Sequence, residues 1–391
     1  MNIAFFCIPA HGHTNPTLAV VRELTARGHT VRYYTTEAFR AKVEAAGAVF
    51  VPFDTEAARP GMTAADGARL GSDLAFSTKL IVDLTLAADD WLSRELTAHR
   101  PDVIVGDSMA FWAKLAAKKH GIPFVSSTTT FAFNRFSAKV IGQNGAGFLQ
   151  FLLAQPRINR QLKRLRAAGY AVKSVFDIIA NDNEAETVVY TSPDFQPCAD
   201  TFSEKYHFVG PLLRPAQSSF EKLPGRSLIY ISLGTVNNDA LPFYRACLAA
   251  FGGDPRFQLV LSADTQTDLA ALGPIPESCT VRASVDQMAV LDCADVFLTH
   301  CGMNSASEGL WHGLPLVLYP QTPEQHGVAN RVAALGAGVP LTDPSADGIR
   351  RAVETALTDP SYRENAQKLA GSFRRCGGAA EAADAIEHAA N

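Results

Sequence analysis

Short apolar runs alternate with helix-like segments along this chain, and the alternation occurs in two separate series. The first series begins at residues 2–8 and continues through 102–107, and the second begins at 227–233 and continues through 258–262. Runs of this length, rich in β-branched and aromatic residues and separated by helical segments, indicate parallel sheets built from βαβ units. The predicted fold class is therefore α/β, with one Rossmann-like parallel-sheet domain for each series.

A chain of 391 residues is long for a single hydrophobic core and suits two domains. We predict a first domain over residues 1–211, a proline-containing linker over 212–226 and a second domain over 227–375. Residues 376–391 are alanine-rich and predict a helix that packs back toward the first domain. The two domains are expected to face a cleft, because clefts between domains are preferred sites for ligands.

Charge and cysteine usage narrow the class of partner. The net charge of -4 provides no excess of Lys and Arg for a nucleic-acid backbone, so small molecules are the expected ligands. No apolar run reaches the roughly 18 residues of a membrane span, and no signal segment precedes the first strand. The seven cysteines contain no C-x-x-C pair, so neither a disulfide framework nor a zinc ribbon is indicated. We expect a cytoplasmic protein that is a monomer or a weak dimer.

The most informative pattern lies within residues 296–330, where a short apolar strand, a glycine-containing turn and a predicted helix from Ser305 to His312 follow one another. The first turn of a helix has unpaired N–H groups, and its peptide dipoles favour negative charge. This turn therefore predicts a phosphate site. His300 at the strand end, with Asn304 and Ser305 at the helix start, adds donors that suit a diphosphate.

Glu308 lies one helical turn after Asn304, and two interpretations of it are open. Its carboxylate could accept hydrogen bonds from the two hydroxyls of a ribose. Alternatively, Ser305 and Glu308 form the S-x-x-E capping box, which requires no ligand, and the tetrad alone favours the cap. The next strand-to-helix turn carries Glu324 and Gln325. Because ligands bind beyond the carboxyl ends of parallel strands, both turns are expected to face one ligand.

The turn after the first strand carries two histidines, His11 and His13, and lacks the G-x-G-x-x-G pattern of a nicotinamide site. Two histidines without a nearby third ligand also make a weak zinc pattern. An imidazole at the carboxyl end of a strand suits a general base. Asp107 ends another strand and could orient that imidazole, or it could cap the helix that begins near Ala110. The sequence leaves these two roles balanced.

Residues 128–169 depart from the alternation and are rich in Phe, Gly and Ala. Phe131, Phe133, Phe136 and the apolar run 147–154 predict either helices that pack on the sheet or an apolar pocket for a lipophilic molecule. Both interpretations can hold for different faces of the segment.

Motifs over nearly the whole chain resemble the family 1 nucleotide-sugar-dependent glycosyltransferases, which have two Rossmann-like domains in the GT-B architecture. These motifs are PAHGHTNP, PDVIVGD, YTSPDFQP, FVGP, SLGT, VDQMAVL and THCGMNSASEGL, the last followed by PxxxEQ. The final motif is highly specific, whereas SLGT alone is weak. The sequence is most similar to the bacterial macrolide and flavonoid glucosyltransferase branch.

Carried over by position, the resemblance implies that His13 rather than His11 is the general base and that Asp107 orients it. It also favours a ribose-binding role for Glu308 over the helix cap. The donor-binding positions that it implies are Gly234, Thr235, Val285, Gln287, His300, Gly302, Asn304, Ser305, Glu308, Glu324 and Gln325.

The resemblance implies an inverting transferase that moves a hexose, expected to be glucose, from a UDP-sugar to a hydroxyl of a lipophilic acceptor such as a flavonoid, macrolide, phenol or terpenoid. No cofactor or metal is expected, because the sequence has no D-x-D motif and the helix start can hold the diphosphate charge. Ser284 stands where the family commonly has a base-stacking Trp, and Glu324 where it has Asp. The alternatives are a nucleotide-sugar epimerase of the same fold, which acts without an acceptor, and a non-catalytic nucleotide-sugar sensor.

Overall fold

The computed structural model describes residues 1–53, 73–137, 147–179, 184–234, 240–264 and 267–391. The chain divides into two compact units. The first unit comprises Met1–Tyr190, Cys198–Leu212 and Gly377–Asn391, and the second comprises Thr191–Pro197 and Leu213–Cys376. Each unit contains one parallel sheet with connecting helices, which confirms the predicted α/β class with two Rossmann-like domains.

The sheet of the first unit consists of β1 (Asn2–Phe6), β2 (Thr30–Thr35), β3 (Val49–Pro52), β4 (Val103–Asp107), β5 (Phe124–Thr128), β6 (Glu186–Val189) and β7 (Tyr206–Phe208). Its seven strands lie in the order β3-β2-β1-β4-β5-β6-β7, and every pairing is parallel. The described helices of this part of the chain are α1 (His11–Ala26), α2 (Arg40–Ala45), α3 (Leu74–Ala98), α4 (Phe111–His120), α5 (Gly147–Ala167) and α6 (Phe176–Ile179).

Strand β1 lies in the interior of this sheet, between β2 and β4, and its residues are apolar on both faces. All of its residues after Asn2 are buried. The ring of Phe5 stacks on Tyr33 and the ring of Phe6 stacks on Tyr34, with centroids 5.0 and 4.2 Å apart. A strand covered on both faces reads as a continuous apolar run, as this one does. Its carboxyl end is therefore held in a fixed place beside the end of β4.

The sequence pattern predicts a helix over residues 17–27, whereas helix α1 begins six residues earlier, at His11. The carbonyl oxygen of Ala10 accepts hydrogen bonds from the backbone N–H groups of His13 and Thr14, at 3.0 and 2.9 Å, and these bonds close a helical turn inside the PAHGHTNP motif. His13 therefore lies on the first turn of a helix and not in a loop.

The sheet of the second unit consists of β8 (Ser227–Ser232), β9 (Phe257–Ser262), β10 (Cys279–Arg282), β11 (Val296–Thr299), β12 (Leu316–Leu318) and β13 (Gly338–Pro340). The six strands lie in the order β10-β9-β8-β11-β12-β13, again with parallel pairings. The described helices of this unit are α7 (Leu241–Phe251), α8 (Gln287–Leu291), α9 (Met303–Trp311), α10 (Pro323–Ala334), α11 (Ala346–Thr358) and α12 (Pro360–Arg375).

The C-terminal segment forms two helices, because α12 ends before Cys376 and α13 (Gly378–Ala390) follows. Helix α13 belongs to the first unit, where it buries Ala382, Ala383 and Ile386 in the core that contains β1. Its Glu387 pairs with Arg27 at 3.0 Å and with His29 at 2.6 Å. Among the described helices, none has the length and apolar character needed to cross a membrane.

Candidate functional site

The first unit brings His13 and Asp107 together. Strands β1 and β4 are parallel neighbours, so the first turn of α1 and the end of β4 lie at the same edge of the sheet. The Nδ1 atom of His13 lies 2.7 Å from Oδ2 of Asp107. The Asp107 side chain is fully buried, whereas 19% of the His13 side chain is exposed. A buried carboxylate on one ring nitrogen can fix the tautomer of the imidazole and stabilise its protonated form.

Asp107 does not cap the helix that follows it, so that interpretation is wrong. Helix α4 begins at Phe111 after Ala110, and no side chain caps it. The Oδ1 atom of Asp107 instead accepts the backbone N–H of Met109 at 2.9 Å, while Oδ2 contacts His13. Two separate contacts on the two oxygens hold the carboxylate in one orientation.

Thr129 is a member of this site that the sequence did not reveal. It follows the end of β5, the next strand beyond β4, and its Oγ1 lies 3.0 Å from Nδ1 of His13. Strand pairing places Ser127 opposite Asp107, so Thr129 lies just past the carboxylate. A polar residue after a neighbouring parallel strand was the only available signal, and sequence alone does not give the strand order.

The second histidine of the motif has different surroundings. The His11 ring packs edge-on against Phe39 with centroids 5.0 Å apart, and its Nδ1 lies 3.3 Å from Nζ of Lys42. Burial, followed by the charge of Lys42, lowers the pKa of His11. His11 and His13 therefore differ in partner as well as position.

The predicted apolar segment after β5 divides between core and surface. Phe131 is 3% exposed and belongs to the interior, which favours the packing interpretation for this residue. Phe133 and Phe136 are 52% and 41% exposed, and Met109, which follows Asp107 closely, is 50% exposed. Residues 138–146 and the side chains of 147–153 lie outside the described part of the chain, and the predicted run 147–154 falls largely there.

In the second unit, helix α9 begins after Gly302, with no side-chain cap. The predicted capping box is therefore wrong, because Ser305 is already inside the helix and cannot act as its N-cap. Asn304 and Ser305 lie on the first turn, where the positive end of the peptide dipoles favours an anion. The phosphate site at this turn stays a prediction.

His300 lies between two glycines that leave room for its ring. A Cβ atom added to Gly234 or to Gly302 would lie only 2.6 Å from Nε2 of His300. Gly234 also has a φ of 80°, which disfavours other residues. Burial lowers the pKa of His300 to about 4, against an opposing hydrogen bond with the Ser232 backbone, so the imidazole is neutral at pH 7. It can offer a neutral N–H to an anion. The adjacent predicted residue, Thr235, lies outside the described residues.

Glu308 is held by side chains from two other elements. The Nε2 atom of Gln287 donates to Oε2 of Glu308, and Oε1 of Gln287 accepts from the Tyr230 hydroxyl at 3.0 Å. Burial raises the pKa of Glu308, although the Gln287 hydrogen bond and the charge of Arg214 lower it. Gln287 and Val285, both predicted to flank a base, lie on either side of Asp286 at the start of α8. The predicted Gln287 and Glu308 are therefore brought into direct contact.

Gln325 has a structural role that the sequence analysis missed. Thr322 and Gln325 form a capping box for α10, in which Gln325 Oε1 accepts the backbone N–H groups of Gln321 and Thr322 at 2.8 and 3.2 Å. The T-x-x-Q spacing was the available signal. Glu324 is exposed on the first turn of the same helix. Among the described residues, no group of three or more His, Cys, Asp or Glu side chains could hold a metal ion.

Comparisons with known proteins identify relatives of the whole chain. A family model described as UDP-glucoronosyl and UDP-glucosyl transferase matches residues 275–374. NDP-glycosyltransferase YjiC of Bacillus licheniformis is 33% identical, with 99% of this chain and 97% of the relative covered. Demethyllactenocin mycarosyltransferase of Streptomyces fradiae is also 33% identical, with 99% and 86% covered.

Solved structures extend the similarity to three dimensions. The glycotransferase of kitacinnamycin has a TM-score of 0.85 and 31% identity, with 99% of this chain and 98% of that chain covered. The calicheamicin glycosyltransferase CalG4 has a TM-score of 0.81 and 30% identity, with 99% and 97% covered.

Proposed function

This chain belongs to the family of UDP-glucoronosyl and UDP-glucosyl transferases and is a hexosyltransferase. We propose that it transfers glucose from UDP-glucose to a hydroxyl of a lipophilic natural product, with inversion at the anomeric carbon and without a metal. The observation that carries the proposal is the 2.7 Å contact between His13 and a fully buried Asp107.

In the proposed reaction, the acceptor is activated in the first unit. Nε2 of His13 takes the proton of the acceptor hydroxyl, while Nδ1–H donates to Asp107. The carboxylate stabilises the imidazolium that forms, and Thr129 adds a second polar contact at Nδ1. Met109, whose backbone N–H donates to Asp107, has an exposed apolar side chain, and Phe133 and Phe136 are exposed in the segment that follows Thr129. Such side chains suit a phenol, flavonoid, macrolide or terpenoid.

The donor is held in the second unit. The start of α9, with Asn304 and Ser305, and the neutral imidazole of His300 bind the diphosphate. Glu308, already oriented by Gln287, accepts from the ribose hydroxyls. The family resemblance adds Gly234, Thr235, Val285 and Gly302 to the nucleotide site and assigns the contacts with the sugar to Glu324 and Gln325.

The acceptor oxygen attacks the anomeric carbon as the bond to the diphosphate breaks. The nucleoside diphosphate leaves with the bonding electron pair, and the proton remains on His13. A single displacement converts an α-linked donor into a β-glycoside. The helix dipole and backbone donors at α9 stabilise the leaving charge, so the step needs no cation.

A paired substitution tests the base. His13→Ala should lower kcat/KM by about 10²- to 10⁴-fold while the Kd for UDP stays within about threefold of wild type. His11→Ala is the matched control, since His11 lies on the same helical turn but contacts Phe39 and Lys42. Normal transfer by His13→Ala to a flavonol would refute the proposed role.

A donor panel tests the reaction itself. UDP-glucose and other nucleotide sugars are incubated with one flavonol, and products are followed by mass spectrometry and by the anomeric coupling in NMR spectra. We expect a β-glucoside, formed at the same rate with EDTA present. Formation of an epimer from the donor alone, or binding without turnover on every acceptor, would instead support the epimerase or the sensor.

A further inference from the structure

The linker of the second unit is attached to the loop that precedes α8. Asp286 occupies the N-cap position of this helix, yet its side chain does not cap it. Oδ2 of Asp286 instead accepts the backbone N–H groups of Gln217 and Ser218 at 2.6 and 2.9 Å, and the Ser218 hydroxyl at 3.2 Å. Three bonds to one carboxylate oxygen fix the linker against this loop.

This attachment brings Arg214 to the residues proposed to hold the nucleoside. Its Nη2 lies 3.9 Å from Oδ1 of Asp286, and 45% of the side chain is exposed. Burial raises the pKa of Glu308 and of Tyr230, and the charge of Arg214 weakly opposes both shifts. Arg214 therefore lies beside Asp286, the residue directly before Gln287, and Gln287 links Tyr230 to Glu308 by hydrogen bonds.

The same region offers little aromatic surface for a base. Ser284 is exposed at the position before Val285 and carries no ring. Tyr230 is buried, and its ring stacks on Phe297 with centroids 4.8 Å apart and planes 16° apart. A guanidinium is planar and delocalised, and it stacks on aromatic faces as well as pairing with carboxylates. Arg214, with its guanidinium 3.9 Å from Asp286 and 45% of its side chain exposed, offers such a planar group next to Val285 and Gln287.

We propose that Arg214 is a donor-specificity residue whose guanidinium stacks on the pyrimidine of the bound nucleotide, with Asp286 holding the linker in the position that allows it. The inference rests on the proposed function, because it requires a pyrimidine nucleoside diphosphate in the second unit. It assigns the recognition of the base to the linker rather than to the loop before α8. Stacking requires the plane of the side chain, whereas simple attraction of the diphosphate would require only its charge.

Three substitutions separate plane from charge. Arg214→Ala removes both, Arg214→Lys keeps only the charge, and Arg214→Trp keeps only a plane. We expect the Ala and Lys variants to raise the Kd for UDP about tenfold, as loss of one stacking contact predicts, and the Trp variant to remain within about threefold of wild type. Kd values come from calorimetric titration of the full chain with UDP, and separately with inorganic pyrophosphate, whose affinity should not change.

Arg226→Ala is the matched control, since Arg226 lies in the same linker and forms no ion pair in the described part of the chain. It should bind UDP like wild type. Retention of affinity by Lys together with loss by Trp, or equal weakening of UDP and pyrophosphate by Ala, would overturn the stacking role. Failure of the wild-type chain to bind UDP would refute the proposed function, and this inference with it, whereas tight binding unaffected by all three substitutions would refute the inference alone.

Discussion

Gly302→Ala is expected to displace His300 without straining the backbone. Gly302 has φ of -60° and ψ of 142°, which any residue can adopt, so the effect arises from the added methyl group alone. That carbon would lie 2.6 Å from Nε2 of His300, and ordinary contacts begin at 3.4 Å, so the ring must move by about 0.8 Å. A Cβ atom added to Gly234 would lie at the same distance from this nitrogen, so two backbone segments closely approach the ring.

The close packing around the His300 ring determines how much stability and UDP affinity the substitution should remove. Overpacking of a buried site costs about 1–3 kcal/mol, and we expect Gly302→Ala to lower the free energy of unfolding of the second unit by that amount. Displacement of the imidazole should also weaken UDP binding about tenfold, by loss of one hydrogen bond of about 1.4 kcal/mol. Urea unfolding and calorimetric titration measure the two effects. Gly234→Ala should cost about 1–2 kcal/mol more, because its φ of 80° adds backbone strain.

A matched glycine controls for the substitution itself. Gly371 lies inside α12, and a Cβ atom there would meet only Nη1 of Arg375, at 3.4 Å. Gly371→Ala should therefore stabilise the protein by about 0.5–1 kcal/mol through helix propensity. If Gly302→Ala matched wild type in both stability and UDP affinity while Gly371→Ala behaved as expected, the clamped position of His300 would be wrong.

Three further predictions follow from the same contacts. Because the folded-state pKa of His300 is lowered from 6.5 to about 4, the unfolded chain binds a proton first as pH falls, and up to about 3 kcal/mol of stability should be lost between pH 6.5 and 4. In denaturant titrations, the His300→Gln variant should not show this loss of stability at low pH. The prediction would be contradicted if the free energies of unfolding of the variant and the wild type fell in parallel with pH. Thr322→Ala should lower the free energy of unfolding by about 1 kcal/mol through loss of the α10 cap, whereas an unchanged urea midpoint would argue against that cap. Thr129→Val should lower kcat about three- to tenfold with little change in KM, because it removes only the second polar contact at Nδ1 of His13. Asp107→Asn should lower kcat about 10²-fold or more. Equal losses of kcat in the two variants would contradict the smaller role of Thr129.

The architecture could be predicted from the sequence because the signals for it are local. A parallel strand buried on both faces must be a short continuous apolar run, and each run between helical segments proved to be a strand. The phosphate site at the start of α9 could be predicted for the same reason, because a strand, a glycine turn and a helix start are adjacent in the chain. The helix starts predicted at Thr17 and Ser305 were too late, because backbone hydrogen bonds begin each helix before a helical pattern of side chains is visible in the sequence.

Contacts between distant parts of the chain depend on how the strands are ordered and packed. Asp107 could equally have capped α4, and only the pairing of β1 with β4 brings it to His13. Thr129 meets the same imidazole because β5 lies beyond β4. Asp286 carries a helix-cap signal, yet the folded chain uses it to hold the linker. Periodicity and helix capping depend on residues a few positions apart, so they can be predicted from the sequence. These contacts join residues tens of positions apart, and they form only when the strands have paired and the sheets have packed.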